Sequence, residues 1–250
     1  MLDPSKNTPP LFFVEPLAVS GDRVVLTGEA LRHALTQRLM PGENFRVVVE
    51  FGVPEVCEAE VLEVTRKSLM GRIINKYQVE RPSYALHLYP AVLKGDKFDL
   101  VIVKATELGV ASITPIVTAR TIPRLDESKK AARKARWKKV SRAAAQQSGR
   151  SDIPEINDII SFKELMMASV PGKALLALER REMTGSLNEA IGADREVSII
   201  IGPEGGFEAH EVEQAIDKGF RPVTLGPHIL RAETASLAAC AIIVEYLSRI

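Results

Sequence analysis

Two glycine-rich segments near the end of the chain have the residues best suited to holding a ligand. The first is Gly202-Pro-Glu-Gly-Gly-Phe207, which follows an apolar run at residues 197–201 and precedes a segment of helical periodicity at residues 209–218. Glycine tolerates positive φ and lets the backbone approach a ligand closely, so such a loop at the end of a strand is suited to binding. The segment matches neither GxxxxGK[ST] nor GxGxxG, the two usual nucleotide-phosphate patterns. A tight structural turn is the alternative interpretation of these glycines.

The second segment also follows a predicted strand and precedes a predicted helix. Residues 225–236 read Leu-Gly-Pro-His-Ile-Leu-Arg-Ala-Glu-Thr-Ala-Ser and lie between a predicted strand at 222–225 and a predicted helix at 233–247. Together the two segments predict a concave, largely apolar rim with many exposed backbone groups. Such a rim suits a neutral or cationic ligand with an adenine ring better than a triphosphate, and the acidic start of the helix after Phe207 agrees with that.

The elements that must position these loops alternate between strand and helix. Apolar runs predict strands at residues 84–92, 112–118, 174–178, 197–201 and 222–225. Helical patterns predict helices at residues 97–108, 128–147, 209–218 and 233–247, with one more beginning near Ser186. Such alternation is typical of a mostly parallel α/β sheet.

The first part of the chain has a different pattern. Short β-branched runs bounded by Gly or Pro predict strands at residues 22–26, 45–51, 56–64 and 68–74. One helix is predicted at residues 28–39, and closely spaced short strands suggest a small barrel. We therefore expect two domains, residues 1–76 and residues 82–250.

Charge is distributed unevenly along the chain. The net charge is +1, yet residues 81–150 hold 15 basic and 5 acidic side chains whereas residues 151–250 hold 9 and 16. This asymmetry favours a polyanionic partner. Eight cations occur between residues 129 and 142 with no acid among them: Lys129, Lys130, Arg133, Lys134, Arg136, Lys138, Lys139 and Arg142.

On a helix these cations would cover most of the circumference. Like charges four residues apart weaken a helix, so a phosphate backbone would compensate them well. A solvated surface helix is the alternative. Trp137, within this helix, is suited to stacking on a base or, alternatively, to anchoring the helix to the core.

Composition excludes several classes of protein. The chain has 250 residues, of which 46% are hydrophobic and 26% charged, which is typical of a folded globular protein and not of a disordered, collagen-like or coiled-coil chain. Cys57 and Cys240 lie far apart without a CxxC motif, so we expect neither a metal site nor a disulfide framework. No secretory signal and no apolar run of about eighteen residues is evident, and we expect a cytoplasmic protein.

Several ordered motifs resemble the RsmE family of SPOUT-class RNA methyltransferases. They are IIIGPEGGF, GFRPVTLGPHILRAETA, LKGDKFDLVIVKATELGV, TAR, RWKKVSRAAAQQSGRSDIPEI and, in the first part of the chain, RLMPGE at residues 38–43. The chain departs from the family pattern at Glu43, where Asp is usual, at Leu93, where Pro is usual, at His228, where Arg is usual, and at Ala232, where Thr is usual.

The resemblance implies a fold, a cofactor and a reaction. The fold is a PUA-like β-barrel followed by an α/β SPOUT domain with a C-terminal trefoil knot, and members are usually homodimers. The reaction is methylation of N3 of a uridine in small-subunit (16S) ribosomal RNA by S-adenosylmethionine, without a metal. The implied cofactor-binding residues are Leu178, Ile201, Gly202, Pro203, Gly205, Gly206, Leu225, Gly226, Ile229, Leu230, Thr234 and Ala235.

The resemblance also suggests roles for polar side chains. Arg231 would stabilise the uracil oxyanion or grip a phosphate, and Glu204 and Glu233 would accept the imide proton. Either carboxylate could instead cap a helix or pair with Arg231. The candidate RNA-binding residues are Arg38, Lys94, Lys97, Arg120, Arg133, Arg136, Arg142, Gln146, Gln147 and Arg150. For Arg120 the alternative is an ion pair within the core, with Glu107 as the candidate partner.

Two other functions remain open from the sequence. One is a SPOUT ribose 2′-O-methyltransferase, which would use the same cofactor. The other is a non-catalytic ribosomal RNA-binding or assembly protein that uses the basic helix and in which the glycine loops serve only as turns.

Overall fold

The chain divides into two units, and the second unit begins at residue 82. The computed structural model describes residues 9–50, 55–79, 82–122, 126–179 and 185–250. The first unit groups residues 1–81 with residues 145–152, and the second groups residues 82–144 with residues 153–250. Phe51, at the end of a predicted strand, lies outside the described residues.

Short strands rich in Val, Ile and Phe build the first unit. They are β1 (Leu11–Val14), β2 (Val19–Ser20), β3 (Arg23–Leu26), β4 (Asn44–Val49), β5 (Glu55–Val64) and β6 (Leu69–Gln78), with helix α1 (Gly28–Thr36) after β3 and a 3-10 turn at Pro16–Ala18. The strand order is β1-β4-β5-β6-β3-β2. β1 and β4 are parallel and the remaining neighbours are antiparallel. The sheet is therefore mixed.

Alternation along β5 shows which face of this sheet forms the core. Cys57, Ala59 and Val61 are buried, whereas Glu58 and Glu60 between them are part-exposed, as the period of two predicts. Phe45 on β4 is fully buried and lies edge-to-face against Phe12. Closure of the sheet into a barrel stays a prediction.

The second unit contains a six-stranded sheet in which every neighbouring pair is parallel. Its strands are β7 (Ala85–Pro90), β8 (Ser112–Ile113), β10 (Glu155–Ile156), β12 (Lys173–Ala177), β13 (Glu196–Ile201) and β14 (Arg221–Val223). Their order is β10-β8-β7-β13-β12-β14. The prediction of a mostly parallel α/β sheet is confirmed.

Helices connect and cover these strands, and all but α4 lie close to predicted positions. They are α2 (Lys97–Glu107), α3 (Glu127–Ser148), α4 (Phe162–Met167), α5 (Leu187–Ile191), α6 (Ala209–Asp217) and α7 (Ala232–Arg249). Buried residues of α2 and α7, including Phe98, Ile102 and Ile243, share one core with the sheet. Within the described residues, no helix is both long and apolar enough to cross a membrane.

One predicted strand is wrong in detail. The segment 112–118 forms two short strands, β8 and β9 (Ile116–Val117), and β9 pairs with β11 (Ile160–Ser161) in a separate two-stranded sheet. Pro115 lies between them, and proline has no N–H to donate to a ladder. The segment therefore changes sheets at this residue.

The order of the strands fixes where a ligand would bind. β12, β13 and β14 are neighbours and run in the same direction, so their carboxyl ends lie at one edge of the sheet. In open parallel sheets this edge is where ligand-binding loops collect.

Candidate active site

Three loops at the carboxyl ends of β12, β13 and β14 enclose a cleft. Its volume is about 690 Å³, within the range of about 300–1,000 Å³ usual for small-molecule sites. The loops run from Leu178, from Gly202 and from Thr224, and each follows its strand directly. The cleft thus lies at the edge of the sheet where the sequence predicts a binding rim.

Most of the predicted cofactor residues line this cleft. Those in the wall are Leu178, Ile201, Gly202, Pro203, Gly205, Gly206, Leu225, Ile229, Leu230 and Ala235. Gly226 and Thr234 belong to the same segments but are not in the wall, and Thr234 is exposed. The structure therefore brings together residues from three separate stretches of the chain.

Local contacts fix the shape of the loop after β13. The Gly206 amide donates to the Pro203 carbonyl at 2.9 Å, which closes a turn, and Gly206 has a φ of +68°. A Cβ on Gly202 would lie 2.9 Å from the ring of Phe207, so only glycine leaves that ring in place. Phe207 in turn packs on Phe162, with ring centroids 6.1 Å apart. The glycines thus serve close packing as well as turn geometry.

A buried carboxylate secures the helix that follows this loop. Glu211 in α6 is 3% exposed and accepts hydrogen bonds from the backbone amides of Glu208, at 3.0 Å, and Ala119, at 2.9 Å. Hydrogen-bonded burial is how a carboxylate becomes tolerable in a protein interior. Glu211 therefore joins the start of α6 to the segment after β9.

Arg120 lies across the same loop. Its guanidinium donates to the Gly205 carbonyl at 2.9 Å and to Glu208 Oε1 at 3.4 Å, while half of the side chain stays exposed at the cleft. The alternative partner Glu107 is wrong, because Glu107 pairs with Lys104 at 2.7 Å. Arg120 thus contacts the loop that carries most of the predicted cofactor residues.

The loop after β14 presents an exposed cation. Arg231 precedes the first residue of α7, is exposed, and forms part of the cleft wall together with His228. Among the residues that the structure describes, no carboxylate pairs with Arg231. Its guanidinium is therefore available to a ligand in the cleft.

Glu204 and Glu233 share the ammonium group of Lys97. Lys97 Nζ lies 3.3 Å from Glu204 Oε1 and 3.8 Å from Glu233 Oε2. Glu204 lines the cleft, whereas Glu233, in the first turn of α7, is not among the residues of its wall. The alternative in which these carboxylates pair with Arg231 is wrong, and neither provides a side-chain cap to α7 or α6.

Some cations of the basic helix α3 pair with acidic side chains from other parts of the chain. Arg136 pairs with Asp99 of α2, and Lys134 pairs with Asp158 at 2.7 Å. Trp137 is 2% exposed, donates from Nε1 to Asp99 at 3.1 Å and packs on Phe98. Trp137 therefore anchors α3 to the core and is not free to stack on a base.

The other candidate RNA-binding residues lie at varied positions. Arg133 and Arg142 are part-exposed on α3, and Lys94 is exposed just before α2. Arg38, Gln146, Gln147 and Arg150 belong to the first unit. Arg38 is exposed, whereas the Arg150 side chain is 12% exposed and forms a two-point contact with Asp152 at 2.9 and 2.7 Å.

Some residues of the cleft wall were not predicted. They are Ala177, Phe207, Ala209, Val212, Glu213, Thr224, His228 and Ala232, of which Phe207, His228 and Ala232 fall within the two segments at residues 202–207 and 225–236. Glu179 also lines the cleft, in the loop of Leu178 and Glu179 that the family resemblance implies. Val212 and Glu213 belong to the first turns of α6. The start of a helix that follows a ligand loop lies at the same edge of the sheet as the loop. The position of Val212 and Glu213 just after the glycine loop could therefore have predicted them.

The described residues contain no metal cluster, and two of the histidines, His87 and His33, have structural contacts away from the cleft. In the part of the chain that the structure describes, no group of three or more His, Cys, Asp or Glu side chains is placed to hold a metal ion. His87 contacts Ser112 at 2.7 Å and Glu196 at 3.2 Å near the amino ends of the strands, as a half-buried, hydrogen-bonded residue. His33 packs edge-on to Phe12.

Comparison with known proteins identifies the class and then the family. The profile of a family described as RNA methyltransferase domain matches residues 80–244. Ribosomal RNA small subunit methyltransferase E of Bacillus subtilis is 30% identical over 228 residues, 87% of this chain and 88% of that protein. Its counterpart in Mesomycoplasma hyopneumoniae is 34% identical over 218 residues, 85% and 90% of the two chains. The chain belongs to this family, ribosomal RNA small subunit methyltransferase E.

Solved structures of similar chains agree with this assignment. A ribosomal RNA small subunit methyltransferase E from Neisseria gonorrhoeae, bound to S-adenosylmethionine, has a TM-score of 0.82, is 30% identical and covers 94% of this chain and 97% of its own. A putative methyltransferase from Legionella pneumophila, with the same cofactor bound, has a TM-score of 0.84 at 28% identity and covers 95% and 97%.

Proposed function

We propose that this protein transfers a methyl group from S-adenosylmethionine to N3 of a uridine in the 16S RNA of the small ribosomal subunit. The observation that carries the proposal is the cleft of three loops at the carboxyl ends of β12, β13 and β14. Family membership supports the reaction, and the cleft supplies a place for it in this chain.

The residues of the cleft fit the proposed cofactor. Leu178, Ile201, Leu225 and Leu230 offer apolar surface for an adenine ring, and the glycine loop offers backbone groups within reach of polar atoms. A Cβ on Gly202 would displace the ring of Phe207, which is part of the wall. When bound, S-adenosylmethionine supplies a methyl group already activated by its sulfonium, so the proposed reaction requires no metal ion.

The polar residues of the site would serve the other reactant. Methylation at N3 requires that the imide proton leave and that the negative charge developing on the uracil be stabilised. Arg231, an exposed cation without a described acidic partner, is placed to stabilise that charge or to hold a phosphate. Glu204 would accept the proton in preference to Glu233, because Glu204 is in the cleft wall and Glu233 is not.

The finer architecture is also part of the proposal. We infer that residues 1–76 form a PUA-like RNA-binding barrel and that residues 82–250 form a SPOUT domain with a trefoil knot. The order of strands in the second unit supports the knot. β14 lies beyond β12 at the edge of the sheet, yet α7, which follows it, packs on α2 and β7 near the middle. The chain must therefore cross back past the loops that form the cleft.

The proposed partners follow from the substrate and the charge. Ribosomal RNA or the small subunit would contact the cations of α3, of which Arg133 and Arg142 are part-exposed and Lys138 and Lys139 are exposed. A homodimer is the assembly that the SPOUT class implies. A ribosomal substrate also implies a cytoplasmic location.

Two rival functions predict different products. A ribose 2′-O-methyltransferase would use the same cleft but modify the sugar, and a non-catalytic assembly protein would bind no cofactor. The preformed cleft favours a cofactor-binding enzyme over the second rival.

One experiment distinguishes all three functions. Small-subunit particles lacking the modification are incubated with the protein and methyl-labelled S-adenosylmethionine, and the digested RNA is analysed by mass spectrometry. We expect the label as 3-methyluridine at a single position. Label on ribose would support the first rival, and no transfer together with no cofactor binding by calorimetry would support the second.

A further inference from the structure

One lysine is placed between two carboxylates that come from different parts of the second unit. Lys97 is the first residue of α2, Glu204 lies in the glycine loop after β13, and Glu233 lies in the first turn of α7. We call these three residues the Lys97 cluster. Its formal charge is −1, because two carboxylates face one ammonium.

One carboxylate oxygen of the Lys97 cluster lacks a hydrogen bond. Glu233 Oε2 is buried and has no hydrogen-bond partner among the described residues, and Lys97 Nζ lies 3.8 Å from it. A buried polar atom without a hydrogen bond costs about 1–3 kcal/mol. Such atoms in native proteins call for an explanation, and a functional role is one of those that recur.

The position of Lys97 is itself unfavourable. A cation in the first turn of a helix faces the positive end of the helix dipole, whereas a carboxylate there is favoured. Asp99 in α2 and Glu233 in α7 follow that rule, and Lys97 does not. Lys97 therefore gains from its two acidic neighbours rather than from its own helix.

We propose that Lys97 is a positioning residue that holds the Glu204 carboxylate at the cleft wall, rather than an RNA contact. Glu204 stands between Pro203 and two glycines, and among the described residues the ammonium of Lys97 is the one group that pairs with its carboxylate. Lys97 opposes the repulsion between Glu204 and Glu233 and fixes Glu204 on one side. Glu233 serves as the second anchor, which keeps the ammonium of Lys97 beside Glu204.

This inference rests on the proposed function, because the role of Glu204 is to act on the RNA base. If Glu204 is displaced by even about 1 Å, a loss of about 100-fold in turnover is reasonable. Binding of the cofactor should change much less, because the apolar wall and the other loops remain. The expected result is therefore a fall in kcat without a matching rise in the Kd for S-adenosylmethionine.

The matched control lies on the same helix. Lys104 has a side-chain exposure of 42%, against 41% for Lys97, and it also pairs with a glutamate, Glu107. The full-length variants Lys97→Met, Lys97→Arg and Lys104→Met are compared with the unaltered protein in the labelled-transfer assay. Calorimetry gives the cofactor Kd for each, and urea denaturation without cofactor gives its stability.

We expect Lys97→Met to lower kcat about 100-fold, Lys97→Arg to recover at least about tenfold of that loss, and Lys104→Met to behave like the unaltered protein. Adding Lys97→Met to Glu204→Gln should cost little further turnover, since the two residues act as a unit. In the cofactor-free protein, the effects of the same two substitutions on the urea midpoint should likewise be less than additive.

Three results would overturn the inference. The first is a Lys97→Met variant with normal kcat while the unaltered protein transfers methyl groups. The second is a double variant, Lys97→Met with Glu204→Gln, whose fold-loss in kcat equals the product of the two single losses. The third is a loss of kcat in Lys97→Met that Lys97→Arg does not recover. In that case lower cofactor affinity and lower stability would account for the loss. If the unaltered protein transfers no methyl group, the proposed function itself fails, and that outcome is distinct from the other three.

Discussion

Replacing Arg120 with alanine removes a contact that organises the glycine loop. The guanidinium donates to the Gly205 carbonyl at 2.9 Å and to Glu208 Oε1 at 3.4 Å. A hydrogen bond from a charged group contributes about 1.5–3 kcal/mol when it is sheltered from water. The Arg120 side chain is 50% exposed, so we take about 1 kcal/mol as the net contribution.

If that energy keeps the loop in its binding shape, Arg120→Ala should weaken the cofactor Kd about fivefold. Arg120→Lys retains the charge but not the planar guanidinium, so its cofactor Kd should lie between those of the unaltered protein and Arg120→Ala. Arg195→Ala is the matched control, because Arg195 donates to the Ser83 carbonyl at 3.1 Å near the opposite end of β13. Isothermal titration with S-adenosylmethionine measures all three. An unchanged cofactor Kd in Arg120→Ala, with weaker RNA binding, would mean that Arg120 contacts RNA and does not hold the glycine loop.

Four other predictions concern the loop, the basic helix and, in two cases, the thiols. Gly202→Ala places a Cβ 2.9 Å from the Phe207 ring, so overpacking of about 1–3 kcal/mol should lower the thermal midpoint and weaken cofactor binding; a calorimetric scan and titration equal to those of the unaltered protein would contradict it. Alanine at Arg133, Arg136 and Arg142 should weaken RNA binding and flatten the dependence of log K on log salt, and an unchanged slope would remove α3 from the interface. Burial raises the pKa of the Cys240 thiol from its ordinary 9.0 to about 12, and raises that of Cys57 as well, so neither should react with a thiol reagent at pH 8 until urea is added. The same shift in the Cys240 pKa favours the protonated native state, so its contribution to stability is present below pH 9 and is lost as the pH rises from there toward 12.

Local sequence patterns predicted the parts of the molecule that depend on local physics. The loop at residues 202–207 was recognisable because glycine and proline mark sharp turns after an apolar strand, wherever that strand lies in the sheet. The alternation in β5 and the helical periods of α2, α6 and α7 follow from burial of one face, and the structure contains all of them.

Contacts between distant parts of the chain were beyond such patterns. Lys97 and Glu204 are 107 residues apart, so their ion pair depends on how α2 and β13 are arranged. Arg136 and Asp99 are 37 residues apart, and without that pair the cations of α3 looked uncompensated. The division of segment 112–118 followed from Pro115 together with a pairing to β11, whose two residues are too few to show a period.

A crystal structure of the protein with S-adenosylmethionine would show whether three loops at one edge of the parallel sheet hold that compound. We expect density for the ligand in the cleft, in contact with residues from 201–206 and from 225–235 and with Leu178. Density at any other place on the protein, with this cleft unaltered and empty, would contradict it.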